Sequence, residues 1–332
     1  MKIAINGLGR IGRLLIRKII ANPTLELVAV NDIVDIKSIA HLIKYDSTHR
    51  IANFEISTNE NQLLLNNKIV HFFQEKNPAL LPWSKLDIDL VIECSGRFTS
   101  HIDASLHLQS GAKKVIISAP PKDTVAIKTI VMGVNETTIN ATDTIVSNAS
   151  CTTNCFVPVV KVIDDNFEII SGFMNTVHAY TQDQHLQDTP HNNDLRRARA
   201  AAQNIVPTTT NAAKALEWVL PHLKNKLTSI AYRVPVVDVS LIDFTCLVTK
   251  AASVEEVNNA FKNAVFSDNE TLEYATQPYV SSDIIGNNHA AIYDSLMTEV
   301  NGKLIRVVAW YDNENGYASR LSKLITFMQQ FN

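Results

Sequence analysis

The stretch SNASCTTNC, residues 147–155, sets Cys151 and Cys155 among hydroxyl and amide side chains, directly ahead of the apolar run FVPVVKVI. A thiol is a nucleophile only as the thiolate, and a helix N-terminus favours that form. Ser150, standing before an apolar-periodic run, predicts a helix that begins near Cys151 and puts its sulfur at the positive end of the helix dipole. Cys155, one turn further in, reads as a small buried core residue. Taken alone, Cys151 is either an activated nucleophile or a structural cysteine, and a partner base decides between them. Among ten histidines, His178 in NTVHAYTQD falls at the end of a strand, where side chains of an open sheet meet a cleft. The remaining cysteines, Cys94 and Cys246, complete a set of four that is too sparse for a disulfide framework and lacks the spacing of a zinc site, so no metal is expected.

A second constellation lies at the start of the chain. Gly7, Gly9 and Gly12 form G-x-G-x-x-G between the apolar strand KIAIN and the helical stretch RLLIRKIIA. The first glycine permits a tight turn, the second lets backbone approach a pyrophosphate, and the third lets helix and strand pack closely. The helix N-terminus then receives the anion. Glycine-rich turns also serve structural ends, but Asp32 ends the next strand, LELVAV, where an acid accepts from a ribose 2′-hydroxyl and repels a 2′-phosphate. The expectation is a dinucleotide site with NAD ahead of NADP.

Both constellations need elements to hold them. A chain of 332 residues with 46 % apolar and 19 % charged residues is expected to fold as two globular domains. KIAIN, LELVAV, DLVIEC, KKVIIS and TIVMGV are short strands, with SHIDASLHLQSGA a helix among them, which predicts an α/β, Rossmann-type doubly wound parallel sheet over residues 1–150. The longer alternating segments SGFMNTVHAYT, LTSIAYRVPVVDVSLIDFTCLV and KLIRVVAWYD predict an α+β second domain over 151–314 with a mostly antiparallel sheet. Ser253 and Glu256 open a helix as a capping box, and 315–331 is an amphipathic helix expected to pack back on the first domain. A net charge of −3 with no basic run argues against nucleic acid or membrane surface as a partner. The opening MKIAINGLGRIGR lacks a signal-peptide core, and a cytoplasmic location is expected.

INGLGRIGR, SNASCTTNC, HAYTQDQ, LRRARAAAQNIVPTTT and WYDNENGY together resemble the phosphorylating glyceraldehyde-3-phosphate dehydrogenase family, from Met1 to the last helix. The resemblance implies that Cys151 attacks the aldehyde of glyceraldehyde 3-phosphate, that His178 pairs with the thiolate, and that inorganic phosphate releases the thioester as 1,3-bisphosphoglycerate. It further implies NAD contacts from Arg10, Ile11, Asp32, Lys76, Ser118 and Asn313, with Asn313 on the nicotinamide carboxamide. Ser150, Thr152, Thr181, Arg197, Thr210, Asn211 and Arg233 match positions that bind the substrate phosphate and the attacking phosphate. Donors of those kinds suit two dianions, and of Arg196, Arg197 and Arg199 one is expected to reach them. LQDTPHNNDLRRARA resembles a loop at which subunits of a homotetramer meet. Asn211 departs from a glycine usual in the family, and Thr189 from a leucine before Pro190. The nearest alternative is erythrose-4-phosphate dehydrogenase, which shares the cysteine motif and hydrolyses its thioester.

Overall fold

The computed structural model describes residues 1–123, 126–267 and 270–331. The chain divides into two compact units, Met1–Ser150 with Ala318–Asn332, and Cys151–Tyr317.

In the first unit, nine strands form one sheet in the order Lys128–Thr129, Ile145–Ser147, Lys114–Ile117, Leu90–Glu93, Lys2–Asn6, Glu26–Asn31, Lys68–Phe73, Gln62–Leu65, Ile56–Asn59. The first seven run parallel, and the last two fold back as an antiparallel hairpin. Strand Lys2–Asn6 pairs with Glu26–Asn31 on one side and with Leu90–Glu93 on the other. The connections therefore diverge at its C-terminal end, the switch point where open α/β sheets bind ligands. The glycine turn follows that strand directly. Its core joins Ile3, Ile5, Leu15, Ile16 and Val30 to Leu321, Leu324, Ile325 and Met328 of the helix Asn315–Met328. The strand expected at TIVMGV stops after Thr129 because Asn135 takes over the backbone there, accepting from Val131 N at 2.8 Å and donating to Thr129 O at 2.9 Å.

In the second unit the order is Val206–Thr209, Leu227–Val234, Ile169–Ala179, Ser240–Val248, Leu304–Tyr311, Ala291–Asp294, Leu272–Ala275. The sheet is mostly antiparallel, but Ile169–Ala179 runs parallel to Leu227–Val234, with His178 opposite Arg233. The helix Cys151–Phe167 packs on this sheet, with Phe156 edge-on to Phe244 at 5.1 Å. The helix Val254–Ser267 has the expected box, Glu256 N on Ser253 Oγ at 3.2 Å and Ser253 N on the Glu256 carboxylate at 2.7 Å.

Candidate active site

Each glycine of the first motif has a measurable reason. Gly7 sits at φ +95°, and a Cβ there would lie 2.5 Å from Ser95 N. A Cβ on Gly12 would lie 2.2 Å from the Gly7 carbonyl oxygen, so only glycine lets the helix Arg10–Ala21 start this close to the strand. Gly9 is different: nothing lies within 4 Å of its ideal Cβ, which leaves open space over the backbone at the helix start. Asp32 closes the turn by accepting from Leu8 N at 2.6 Å and Val34 N at 3.0 Å. A carboxylate has capacity for further donors, so these two bonds leave room for a ribose hydroxyl. The open space above Gly9, the positive pole of a helix start and an acid in the next strand turn fit a dinucleotide such as NAD.

The other residues expected on this side are arranged less uniformly. Ile11 lies in the first turn of the same helix. Ser118 follows strand Lys114–Ile117 and is fixed by its N–H on Glu93 O at 2.9 Å. The Arg10 guanidinium lies bidentate on Asp46 at 2.6 and 3.1 Å, so the side chain braces the fold at the start of the helix. Lys76 is exposed, in a segment held by Asn31, which accepts from Glu75 N at 2.8 Å and donates to Glu75 O at 2.9 Å.

Cys151 is the first residue of its helix, and Ser150 before it is partly exposed. Its Sγ lies 3.5 Å from His178 Nε2, and His178 is only 3 % exposed. The ring is held from behind: Nδ1 is 2.7 Å from the Ala179 carbonyl oxygen, and the Arg233 guanidinium touches Nδ1 while donating to the same oxygen at 3.0 Å. In the tautomer with Nδ1–H on the carbonyl, Nε2 is the acceptor that faces sulfur. Burial raises the Cys151 thiol above its ordinary value, although Arg233, Thr152 and the helix-start N–H groups oppose it. Burial, and then Arg233, also lower His178 to about 3. Desolvation thus works against the charged form of each group. Cys155 is fully buried, and burial drives its thiol upward as well.

Around this pair, Thr152 shares a 2.9 Å hydrogen bond with Tyr311, whose hydroxyl also meets Thr176 Oγ at 2.9 Å. The Tyr311 ring stands edge-on to His178 with centroids 5.9 Å apart. Neither Tyr311 nor Thr176 could be singled out from spacing, although Tyr311 lies inside WYDNENGY. Among the three arginines, Arg197 turns inward, with Nε on Thr208 Oγ at 2.8 Å, one terminal nitrogen on Asp183 at 2.6 Å and the other on Thr209 O at 3.3 Å. Arg196 is exposed, and Arg199 pairs with Asp188 at 2.8 Å. Arg197 is close enough to act electrostatically on both His178 and Arg233. Thr210 accepts from Ala212 N at 3.3 Å, and Asn211 caps the helix Ala212–Val219 at φ −93°. Asn211 therefore needs no left-handed backbone, and glycine is not required there. Thr181 is partly exposed and its carbonyl accepts from Gln184 N at 2.8 Å.

The comparisons with known proteins agree across the whole chain. Residues 1–101 match the profile of the glyceraldehyde 3-phosphate dehydrogenase NAD binding domain, and residues 150–313 match that of its C-terminal domain. The glyceraldehyde-3-phosphate dehydrogenase of Geobacillus stearothermophilus is 48 % identical over 331 residues, covering 99 % of this chain and 98 % of its own. That of Mycoplasma pneumoniae is 50 % identical over 331 residues, covering 98 % and 97 %.

The chain belongs to the glyceraldehyde-3-phosphate dehydrogenase family.

In this member of the family the glycine turn lies within the matched NAD binding region, and Cys151, His178 and Arg233 lie within the matched C-terminal domain. The relatives bear the glyceraldehyde-3-phosphate dehydrogenase name, and the erythrose 4-phosphate alternative gains no support from them.

Proposed function

We propose that this chain is an NAD-dependent oxidoreductase that converts D-glyceraldehyde 3-phosphate and inorganic phosphate to 1,3-bisphosphoglycerate through a thioester on Cys151. The observation that carries the reading is the Cys151 Sγ to His178 Nε2 approach of 3.5 Å at a helix start, in a chain of this family. His178, a neutral ring near pH 7, takes the thiol proton at Nε2 as sulfur adds to the aldehyde carbon and gives it to the new alkoxide oxygen. It then draws the hydroxyl proton of that hemithioacetal during oxidation, leaving the thioester. NAD, when bound, supplies the hydride acceptor. Inorganic phosphate attacks the thioester carbon, and the departing sulfur regains its proton from His178.

The remaining roles follow from donor chemistry. Gly7, Gly9, Ile11 and Gly12 cradle the pyrophosphate, Asp32 accepts from the adenosine ribose, Ser118 and Lys76 flank the cofactor, and Asn313 orients the nicotinamide. Arg233, Arg197, Ser150, Thr152, Thr181, Thr210 and Asn211 bind the two phosphates, Arg197 by exchanging part of its Asp183 pairing for an anion. We read the native assembly as a homotetramer. Support comes from the open face of the second unit's sheet, where Phe173 is 69 % exposed beside exposed Ile230, Leu247 and Leu304, since a contiguous exposed apolar patch marks an association surface. Four free thiols suit a reducing, cytoplasmic setting, and none of the described helices is long and apolar enough to cross a membrane. The test is steady-state oxidation of glyceraldehyde 3-phosphate and erythrose 4-phosphate with and without inorganic phosphate. The expected result is turnover of the triose that depends on phosphate, and phosphate-independent turnover of the tetrose would overturn it.

A further inference from the structure

The segment between strands Leu227–Val234 and Ser240–Val248 contains a backbone irregularity that the reaction as described does not use. Val239 is buried and lies at φ +70°, a conformation that β-branched residues rarely adopt. Such strain persists only where the surroundings over-determine it, and it concentrates at functional sites. Here the next residue is Ser240, 2 % exposed, whose hydroxyl joins two other segments of the same unit. Ser240 Oγ accepts from Ala179 N at 3.0 Å, one residue after His178, and donates to Asn313 Oδ1 at 2.7 Å. Asn313 is itself only 6 % exposed, and no hydrogen bond from its Nδ2 is found among the described residues. The turn that carries it is fixed by Asp312, which accepts from Gly286 N, Glu314 N and Asn315 N at 2.7, 3.0 and 2.6 Å.

A serine hydroxyl has one proton to give. With the Ala179 N–H received, that proton finds its acceptor in the Asn313 amide oxygen, which fixes which way round the amide stands. The Nδ2 donor is then the atom presented outward. We propose that Ser240 is a positioning residue for cofactor recognition: it locks the Asn313 amide so that Nδ2 donates to the nicotinamide carboxamide oxygen, and it ties that amide to the strand end that carries His178. The inference rests on the reading that Asn313 faces the nicotinamide.

The experiment compares equilibrium binding of NAD and of ADP-ribose, which lacks the nicotinamide, to the full chain and its variants by titration calorimetry. Ser240→Ala frees the amide to rotate and should raise the Kd for NAD about five- to tenfold, the effect of one hydrogen bond, while the Kd for ADP-ribose stays within about twofold. Asn313→Asp keeps an acceptor for Ser240 but loses the Nδ2 donor, so it should show the same selective loss. Ser240→Cys keeps the shape and a weak donor and should fall between wild type and Ser240→Ala. If Ser240→Ala does not fold, judged by its melting curve, Ser240→Cys alone is decisive, and a ratio of the two Kd values equal to wild type would overturn the proposal. Equal weakening of both ligands by the Ser240 variants would also overturn it, by making the serine merely structural. If Asn313→Asp leaves the ratio unchanged, the assignment of Asn313 to the nicotinamide fails with it; if only the Ser240 variants leave it unchanged, that assignment stands and the positioning role does not.

Discussion

Serine in place of Cys151 keeps the shape of the side chain beside His178 Nε2 but replaces a thiol with an alcohol that is far harder to ionise. Cys151→Ser is expected to abolish aldehyde oxidation while NAD binding and melting temperature stay near wild type; near-native turnover would remove Cys151 from the chemistry. Cys155→Ala, in a fully buried position, should instead cost about 1 kcal/mol of stability with turnover retained. His178→Asn is expected to slow turnover by roughly 10²–10⁴-fold, because the acceptor at 3.5 Å is lost. The same histidine links stability to acid. Its folded value of about 3 lies below its ordinary 6.5, so between those pH values the unfolded chain binds a proton that the folded chain refuses. Stability therefore falls as pH drops through 6.5, by about 1.4 kcal/mol per unit from this group. Urea unfolding at pH 7 and pH 5 should show wild type losing about 2 kcal/mol more than His178→Asn; equal losses would mean that the ring is not buried neutral. For Asp32, a 2′-phosphate beside the carboxylate costs like-charge repulsion and desolvation. Asp32→Gly should narrow the preference for NAD over NADP in kcat/KM, and an unaltered ratio would place the ribose elsewhere.

At the scale of elements, the strand–turn–helix over residues 2–21 separates packing from ligand contact. Gly12→Ala sets a Cβ 2.2 Å from the Gly7 carbonyl, backbone against backbone, and should cost about 3 kcal/mol in thermal or urea unfolding. Gly9 lies at φ −69°, which alanine adopts readily, and its Cβ would meet nothing within 4 Å. Gly9→Ala should therefore melt like wild type and still bind NAD at least about tenfold more weakly, because the methyl fills the space over the pyrophosphate. Unchanged NAD affinity in Gly9→Ala would show that the dinucleotide does not pass over this turn. In the second unit, the parallel pairing of Ile169–Ala179 with Leu227–Val234 puts Arg233 beside His178. That one register holds the ring and adds the guanidinium's repulsion to burial in suppressing its charge.

For the whole molecule, the question is what covers the open face of the second unit's sheet. Phe173, 69 % exposed, is the most exposed of the large apolar side chains on these strands. If the homotetramer proposed above uses this face, Phe173→Glu should leave the fold of the subunit intact, judged by circular dichroism, and lower the mass seen by light scattering to that of smaller species. A tetramer that persists in the variant would move the subunit contact to another surface.

The sequence by itself determined the parts that depend on local chemistry. G-x-G-x-x-G between a strand and a helix, with Asp32 after the next strand, can be read because Gly7 takes a tight turn at φ +95°, Gly12 meets the Gly7 carbonyl of its own βαβ unit, and Gly9 has open space above it. The helix beginning at Cys151 and the strand ending near His178 were legible for the same reason. The distance between the sulfur and the ring was not, because it joins residues 27 positions apart through packing of the helix Cys151–Phe167 on the strand Ile169–Ala179. The electrostatics are set at the same level: a helix start is local, but burial is set by the whole surrounding unit, and it works against charge at both Cys151 and His178. Tertiary structure alone also chose Arg197 over Arg196 and Arg199, sent Arg10 to Asp46, and brought Ser240 to Asn313 across 73 residues. Residue type states which bonds a side chain can make, and only the folded neighbourhood decides which of them it makes and at what cost in desolvation.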